Sequence, residues 1–252
     1  MAVAYAADGA VGTITLDKPP ANSYDLPFME EFAAAVDAAR ADGARAVVIR
    51  SASDKFFSAG ADVKRFAEGD VGSSMEMIRV SQAAFARMAE SPAVFIAHLA
   101  GHALGGGLEI ALACDLRYAT AGSYKLGLPE VTLGLLPGNG GTQRLTRLIG
   151  PSRAIELLIT GRTFSPDEAL QMGLVHGVLD AEEVAAAAAR LAAGPALAIA
   201  AIKRCVHEGG QLPLADGLAL EAELMEGLFN SRDAAEGLAA FVEKRKPEFA
   251  GA

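Results

Sequence analysis

Apolar residues alternate or recur at helical spacing along the first part of the chain, and this pattern predicts its first elements. Alternation predicts strands at residues 3–6 and 11–16, and apolar residues three to four apart predict a helix over 26–40. A short apolar run predicts a buried strand at 46–49. A strand, a helix and a strand in this order indicate a parallel pair joined by a crossover.

The most apolar stretch of the chain surrounds a cluster of three glycines. A strand is predicted over 93–99, the glycines follow at 105–107, and a helix is predicted over 108–114. Glycines let a ligand approach the backbone, and the first N–H groups of a helix lack partners, so this turn suits an anionic oxygen. Apolar residues surround Glu109 on every side of that helix, which predicts a buried helix. With Gly106 as N-cap, Glu109 either caps its own helix or faces an enclosed cavity.

Two further loops are rich in small residues. Loop 51–62 leaves the strand at 46–49, and ligands gather at the carboxyl ends of parallel strands, so it can face one cleft with the glycines at 105–107. Segment 126–144 has too much glycine and proline for regular structure, and it contains Glu130. Glu130 is either a solvated residue at a helix start or a second carboxylate of the cleft. Two N–H donors and two carboxylates suit acid–base chemistry beside a thioester or ester carbonyl.

Helical spacing dominates the last part of the chain. The expected boundary lies between a core at 1–195 and a helical region at 196–252. A stripe of apolar residues in the second region is typical of a core or a subunit interface: Leu214, Leu218, Met225 and Leu228. The other predicted elements are helices at 73–89, 141–149, 151–160, 166–171, 181–193, 196–206 and 214–229, and strands at 116–119 and 174–178.

Composition narrows the classes of protein. The 252 residues are 52% hydrophobic and 21% charged, enough to bury a large core. No apolar run reaches membrane-spanning length and the N-terminus lacks a signal peptide, so we expect a cytoplasmic protein without membrane contact. A net charge of −9 argues against nucleic-acid binding. Two cysteines form neither a disulfide framework nor a metal site, and the chain lacks Gly-x-Ser-x-Gly and a dinucleotide fingerprint.

Six segments, taken in order, resemble the enoyl-CoA hydratase/isomerase (crotonase) family across essentially the whole chain. They are FSAGAD at 57–62, GHALGGGLEIALACD at 101–115, LPEV at 128–131, GLLPGNGGTQRL at 134–145, ALQMGLV at 169–175 and EKRKPEF at 243–249. The resemblance implies an α/β fold, a crotonase-like spiral of ββα turns with two roughly perpendicular sheets and a C-terminal helical trimerisation region. It also implies a homo-oligomer, either a trimer or a dimer of trimers.

The same resemblance implies an acyl-CoA thioester as the substrate. The N–H groups of Ala61 and Gly106 would form the oxyanion hole. Ala59 and Val63 would line the adenine pocket through their backbones, Asp62 would lie in the same CoA-binding segment, and Lys55 would lie near the CoA phosphates. No metal and no cofactor beyond the coenzyme A of the substrate is implied.

Both glutamate positions that hydratases of the family use are occupied, whereas isomerases commonly retain only the position of Glu130. The resemblance therefore implies hydration of a trans-2-enoyl-CoA to a 3-hydroxyacyl-CoA, in fatty acid or related acyl-CoA degradation. Glu130 would deliver a proton to the α-carbon, Glu109 would activate the water, and the Gly138 N–H would help position it. The alternatives are an enoyl-CoA isomerase, a catalytically silent acyl-CoA binder or an RNA-binding relative. Some members with both glutamates also shift double bonds or act on carnitine-linked or aromatic acyl groups.

Three positions depart from the usual family pattern. Asn139 stands where alanine is frequent, Ser-Tyr-Asp at 23–25 replaces an Ala-Leu-Ser-like turn, and Leu108 occupies a variable position beside the pocket. We expect these residues to shape the choice of acyl chain.

Overall fold

The structure is a computed structural model that describes all 252 residues. The chain has nine strands and eleven α-helices; strands and helices alternate up to residue 178, and the last four helices make up the remainder. The strands are β1 Val3–Asp8, β2 Val11–Leu16, β3 Ala46–Ser51, β4 Phe56–Ser58, β5 Val94–Leu99, β6 His102–Leu104, β7 Leu116–Ala119, β8 Leu126–Gly127 and β9 Gly177–Val178. The helices are α1 Leu26–Ala41, α2 Val63–Glu68, α3 Val71–Glu90, α4 Gly106–Ala113, α5 Gly141–Ile149, α6 Pro151–Thr160, α7 Pro166–Gln171, α8 Ala181–Ala192, α9 Ala196–His207, α10 Leu214–Phe229 and α11 Arg232–Glu243.

Six strands form the larger sheet, in the order β1-β2-β3-β5-β7-β9. The first pair is antiparallel, and every later pair is parallel. Strands β2 and β3 pair in register from Val11 with Ala46, and α1 connects them. The predicted parallel pair with a helical crossover is therefore confirmed.

Three short strands form a second sheet, in the order β4-β6-β8, with parallel pairing throughout. Each of them directly follows a strand of the larger sheet, so β3 leads to β4, β5 to β6 and β7 to β8. The chain thus adds one strand to each sheet and then a helix, which confirms the expected spiral of ββα turns. The sequence pattern did not predict the second sheet, because strands of two or three residues are too short to show alternation.

The start of α1 fixes the turn that precedes it. The Asp25 carboxylate accepts a hydrogen bond from the Phe28 N–H at 3.2 Å, and the Lys18 ammonium lies 2.8 Å from the same carboxylate. Pro27 occupies the first turn of the helix, where the missing N–H has no cost. The turn therefore holds Tyr24 in one place, where its side chain is buried.

Helix α4 lies inside a core of 41 buried residues. All eight of its residues are buried, as the apolar residues around Glu109 predicted. Its N-cap is Gly105 rather than Gly106, so Glu109 occupies the fourth helical position. The Glu109 side chain accepts hydrogen bonds from another loop rather than from its own helix, and the capping interpretation is wrong.

The C-terminal helices differ in detail from the predicted ones. The expected strand at 174–178 is confined to β9, and the pattern did not predict α11. Lys203 on α9 ties this region to the core, because its ammonium contacts the Asp115 carboxylate at 2.8 Å and the Ala93 carbonyl at 2.6 Å. The division at 195/196 and the trimerisation role of the last helices stay predictions.

No single helix is long and apolar enough to cross a membrane; α8 and the segment 196–211 satisfy length and composition only as a pair bent by 102°. No group of three or more His, Cys, Asp or Glu side chains is arranged to hold a metal ion.

Candidate active site

Two loops lie side by side because the strands that precede them are paired. Strands β4 and β6 are parallel neighbours, so residues 59–61 and 105–106 leave the small sheet at the same edge. A Cβ built on Gly60 would lie 3.0 Å from the Gly106 nitrogen. The two glycine-containing loops therefore share one cleft, as the sequence predicted, although strands β4 and β6 rather than β3 and β5 bring them together.

Two backbone N–H groups at this edge are free of partners. Gly60 and Gly105 adopt positive φ values of 86° and 53°, which turn the chain sharply at the start of each loop. The N–H groups of Ala61 and Gly106 donate no hydrogen bond within the chain. The Gly106 N–H also begins α4, at the positive end of the helix dipole. The pair is suited to hold an oxygen that gains negative charge.

Glu109 is a buried carboxylate held by two main-chain amides. Its Oε1 accepts hydrogen bonds from the Asn139 N–H at 2.8 Å and from the Gly141 N–H at 2.7 Å. Gly141 is the first residue of α5, so that helix points its unpaired N–H at the carboxylate. Burial raises the pKa of Glu109, and the two amides and the Arg144 guanidinium oppose that rise.

Glu130 is a half-buried carboxyl group at the start of a 3₁₀ helix, Glu130–Leu133. A Cβ on Gly105 would lie 3.0 Å from Oε1 of Glu130, so this carboxyl group packs on the turn before α4. Its Oε2 is buried without a hydrogen-bond partner in the chain. Burial and the negative charge of Glu109 raise the pKa of Glu130 to about 7. Glu130 therefore stands at a helix start, as expected, but its carboxyl group is half-buried rather than solvated.

The loop at 137–141 is held at several points. Gln82 Nε2 donates to the Gly138 carbonyl at 2.8 Å, and Arg144 donates to the Asn139 carbonyl at 2.8 Å. The Asn139 side chain donates to the Tyr24 hydroxyl at 2.8 Å, and its Oδ1 is buried without a partner in the chain. This loop therefore has a defined place beside Glu109.

The residues expected to bind coenzyme A lie along the rim of the same loop. Lys55 is exposed, and Val63 is half exposed at the start of α2. The Asp62 carboxylate caps α2 by accepting from the Lys64 N–H at 3.1 Å, so it is already engaged. The Ala59 N–H donates to the Ala21 carbonyl at 2.9 Å. The Ala59 carbonyl accepts no hydrogen bond within the chain, so it is available to a ligand.

A cavity of about 420 Å³ opens next to Tyr24, between the start of α1 and helices α2 and α3. Its wall includes apolar side chains and charged ones: Leu26, Phe66, Met77, Asp62 and Arg65. Tyr24 connects this cavity to the two loops, because it lines the cavity, pairs with Ala61 and contacts Gly106, whereas Glu109 and Glu130 do not line the cavity.

The sequence model of the enoyl-CoA hydratase/isomerase family matches residues 6–252. A probable enoyl-CoA hydratase from Bacillus subtilis (strain 168) is 40% identical over 258 residues, covering 99% of this chain and 99% of the relative. The chain belongs to the enoyl-CoA hydratase/isomerase family. This confirms the resemblance identified from the six segments.

Solved and curated relatives agree with that membership. The crystal structure of an enoyl-CoA hydratase from Geobacillus kaustophilus HTA426 has a TM-score of 0.96 and 43% identity, covering all of this chain and 97% of that one. The 2,3-dehydroadipyl-CoA hydratase of Escherichia coli (strain K12) is 35% identical, covering 94% of each chain. The chain therefore has the α/β fold of this family.

Sequence patterns did not reveal every group that this family member places around the cleft. They gave no role to Arg144 or to the Gly141 N–H, although the glycine pair before a helix was a visible signal for an exposed helix terminus. They marked Tyr24 and Asn139 as unusual without indicating that the two touch.

We expect Gly60→Ala to disrupt the pair of N–H groups. The new Cβ would lie 2.7 Å from the Leu104 carbonyl oxygen, at a φ that side chains avoid, so the two loops must separate. The expected loss is about 100-fold in kcat and about 3 kcal/mol in the free energy of unfolding. Steady-state kinetics and urea denaturation measure the two effects.

The matched control is Gly173→Ala. Its φ of 75° carries the same strain, but nothing lies within 4 Å of the new Cβ. It should cost about 1 kcal/mol and leave kcat unchanged. Equal losses of kcat in both variants would contradict the prediction.

Proposed function

We propose that this protein is an enoyl-CoA hydratase that adds water across the trans-2 double bond of an enoyl-CoA thioester to give a 3-hydroxyacyl-CoA. One observation carries the proposal. Two carboxyl groups meet beside two free N–H groups, and their environments differ, because Glu109 accepts two amide hydrogen bonds whereas Glu130 has a buried, unpartnered oxygen. Such a difference between neighbouring carboxyl groups is how acid and base roles are assigned in enzymes.

The N–H groups of Ala61 and Gly106 hold the thioester oxygen in this proposal. Attack on the β-carbon moves negative charge through the conjugated system onto that oxygen. Two preorganised donors stabilise this charge without having to reorganise. Such electrostatic stabilisation is typically the largest single contribution to this kind of catalysis.

Glu109 acts as the base and Glu130 as the acid. Glu109 is held as an acceptor, so it removes one proton from the water while the water oxygen bonds to the β-carbon. Glu130, with a pKa of about 7, carries a proton near neutral pH and delivers it to the α-carbon. The water thus supplies the hydroxyl group, and exchange with solvent returns each carboxyl group to its starting state.

The remaining predicted residues bind the substrate. The Gly138 N–H helps to place the water, since its loop also holds Glu109 through Asn139. Lys55 contacts the CoA phosphates, Ala59 and Val63 bind the adenine through their backbones, and Asp62 shapes that segment as the cap of α2. The cavity beside Tyr24 receives the acyl group, and no metal or further cofactor takes part.

We also propose that the protein is a homo-oligomer, a trimer or a dimer of trimers. The apolar stripe of α10 does not face the core of its own chain. Leu214 is 79% exposed and Phe229 is 71% exposed, and the neighbouring helix α11 exposes Phe241 at 83%. Large apolar side chains exposed on two neighbouring helices are typical of a subunit interface. The cytoplasmic location and the absence of nucleic-acid and membrane partners stay predictions.

The test is the loss of the conjugated-enoyl ultraviolet absorbance of crotonyl-CoA on addition of the purified protein. We expect rapid loss that approaches the hydration equilibrium, and no change with the saturated butyryl-CoA. Longer trans-2-enoyl-CoA thioesters and 2,3-dehydroadipyl-CoA rank the acyl groups. Faster turnover of a 3-enoyl-CoA would identify an isomerase instead, and tight acyl-CoA binding without turnover of any enoyl thioester would identify a silent binder.

A further inference from the structure

A buried hydroxyl group lies among the groups proposed for hydration. Tyr24 is 2% exposed, and its hydroxyl oxygen accepts a hydrogen bond from Asn139 Nδ2 at 2.8 Å, while Asn139 itself is 3% exposed. A buried hydroxyl group carries a cost unless it is bonded, and a phenylalanine could fill the same space, so the hydrogen bond itself needs an explanation.

Tyr24 lies beside both residues that carry the free N–H groups of the cleft. Its main chain is hydrogen-bonded to the residues on either side of Ala61: the Tyr24 N–H donates to the Gly60 carbonyl at 2.9 Å, and the Asp62 N–H donates to the Tyr24 carbonyl at 2.9 Å. Its ring covers Gly106, where a Cβ would overlap the hydroxyl oxygen. Tyr24 therefore sets the separation of the two N–H groups from one side.

Asn139 contacts the proposed base. Its N–H donates to Glu109 Oε1 at 2.8 Å, and its side-chain amide lowers the pKa of Glu109. Its carbonyl accepts from Arg144 on α5, and its side chain reaches back to the turn before α1. Asn139 is thus the point where the turn at Tyr24 and the loop at 137–141 are joined.

The hydroxyl group stays protonated in this place. Burial and the negative charges of Glu109 and Glu130 raise the pKa of Tyr24 far above its ordinary value. Three charged or titratable groups face Glu109. They are Arg144 from α5, Glu130 from the 3₁₀ helix and Tyr24 from the turn before α1.

We propose that Tyr24 and Asn139 are positioning residues for the hydration reaction: the Tyr24 hydroxyl fixes the Asn139 side chain, and Asn139 fixes Glu109 relative to the N–H groups of Ala61 and Gly106. This inference rests on the proposed function. A loosely held base lowers kcat and leaves substrate binding little changed, because small misplacements of a reacting group slow the chemical step.

The experiment compares Tyr24→Phe, Asn139→Ala and the double variant in hydration of the best trans-2-enoyl-CoA. Tyr24→Phe should lower kcat about tenfold with KM within about twofold, and Asn139→Ala should lower kcat about 30-fold. The double variant should be no slower than Asn139→Ala, because the hydroxyl acts through the amide. The Asn139 side chain lowers the pKa of the base, so the acid limb of kcat/KM should move to higher pH in Asn139→Ala.

Tyr124→Phe is the matched control, since Tyr124 is also buried and its hydroxyl donates to the Leu99 and Thr120 carbonyls away from the cleft. It should leave kcat and the pH profile unchanged. The proposal is overturned if Tyr24→Phe keeps kcat within twofold of the wild type, if the two single effects multiply in the double variant, or if Tyr124→Phe loses as much activity. These outcomes leave the wild type an active hydratase, whereas a wild type without hydratase activity overturns the proposed function itself, so the two failures are distinct.

Discussion

Glu130→Gln is expected to lower kcat for hydration about 1,000-fold while leaving KM within about threefold of the wild type. Glutamine has nearly the shape of glutamic acid, so the packing against Gly105 is retained. The amide cannot deliver a proton to the α-carbon, and only the chemical step suffers. Stopped-flow or steady-state loss of enoyl absorbance measures kcat directly.

The same substitution should make the protein more stable at alkaline pH. The pKa of Glu130 is about 7 in the folded chain and near 4.5 when unfolded, so the folded state binds more protons between these values and stability falls as pH rises through that window. Above pH 7 the ionised carboxylate is a net cost, and glutamine removes it. We expect a gain of about 2 kcal/mol at pH 8 and none below pH 4, measured by urea denaturation at both pH values.

The pH profile provides the control for Glu130. In the wild type, kcat/KM for hydration should fall above about pH 7, where Glu130 loses its proton. That alkaline limb should vanish in Glu130→Gln, whose residual rate depends on other groups. A variant that keeps the limb, or that loses stability at pH 8, would show that the raised pKa belongs to another group or that the carboxyl group has a structural role.

Much of this site could be predicted from the sequence, because its parts are short segments with strong local rules. The all-apolar surroundings of Glu109 predicted a buried helix, and all residues of α4 are buried. The glycines at 105–107 predicted a turn with accessible N–H groups, and the N–H of Gly106 is free. At these positions the local sequence pattern was sufficient to predict the burial and the free N–H group that the structure shows.

The parts that could not be predicted depend on contacts between distant segments. Strand β4 brings Gly60 beside Gly106, yet three residues show no periodicity, and only pairing with β6 defines the strand. The bond between Tyr24 and Asn139 spans 115 positions, and no local rule points from one to the other. The partners of Glu109 likewise lie 30 and 32 positions away, so the capping interpretation from its own helix was the nearest explanation and was wrong.

The two carboxyl groups illustrate how identical side chains acquire different chemistry. Both are removed from water, which raises both pKa values. The first amide of α5 and the Asn139 N–H oppose the shift at Glu109, whereas the unpartnered oxygen of Glu130 lacks such help. The end of a helix, a feature of the backbone, therefore gives the two glutamates different environments.

Glu109→Gln is expected to lower kcat about 1,000-fold with little change in stability, whereas Glu109→Ala is expected to lose both. The glutamine carbonyl oxygen can accept from the N–H groups of Asn139 and Gly141 as Oε1 does now, but the amide cannot remove a proton from water. Alanine leaves two buried N–H groups without partners, and each costs about 1–3 kcal/mol, so the free energy of unfolding should fall by about 3 kcal/mol. The loop at 137–141 would then lose its attachment to α4.

Thermal denaturation and the crotonyl-CoA assay on both variants separate the two roles of Glu109. Loss of activity with retained stability in the glutamine variant assigns the chemistry to the carboxylate itself, because the scaffold is intact. If Glu109→Gln instead hydrated crotonyl-CoA within about tenfold of the wild type, the carboxylate would be a support for the loop rather than the base. Glu130 would then have to remove one proton from the water and also deliver a proton to the α-carbon. Since Glu130 has one buried, unpartnered oxygen and a pKa near 7, a single carboxyl group could manage proton transfer between carbons more readily than water addition, and the isomerase alternative would gain support.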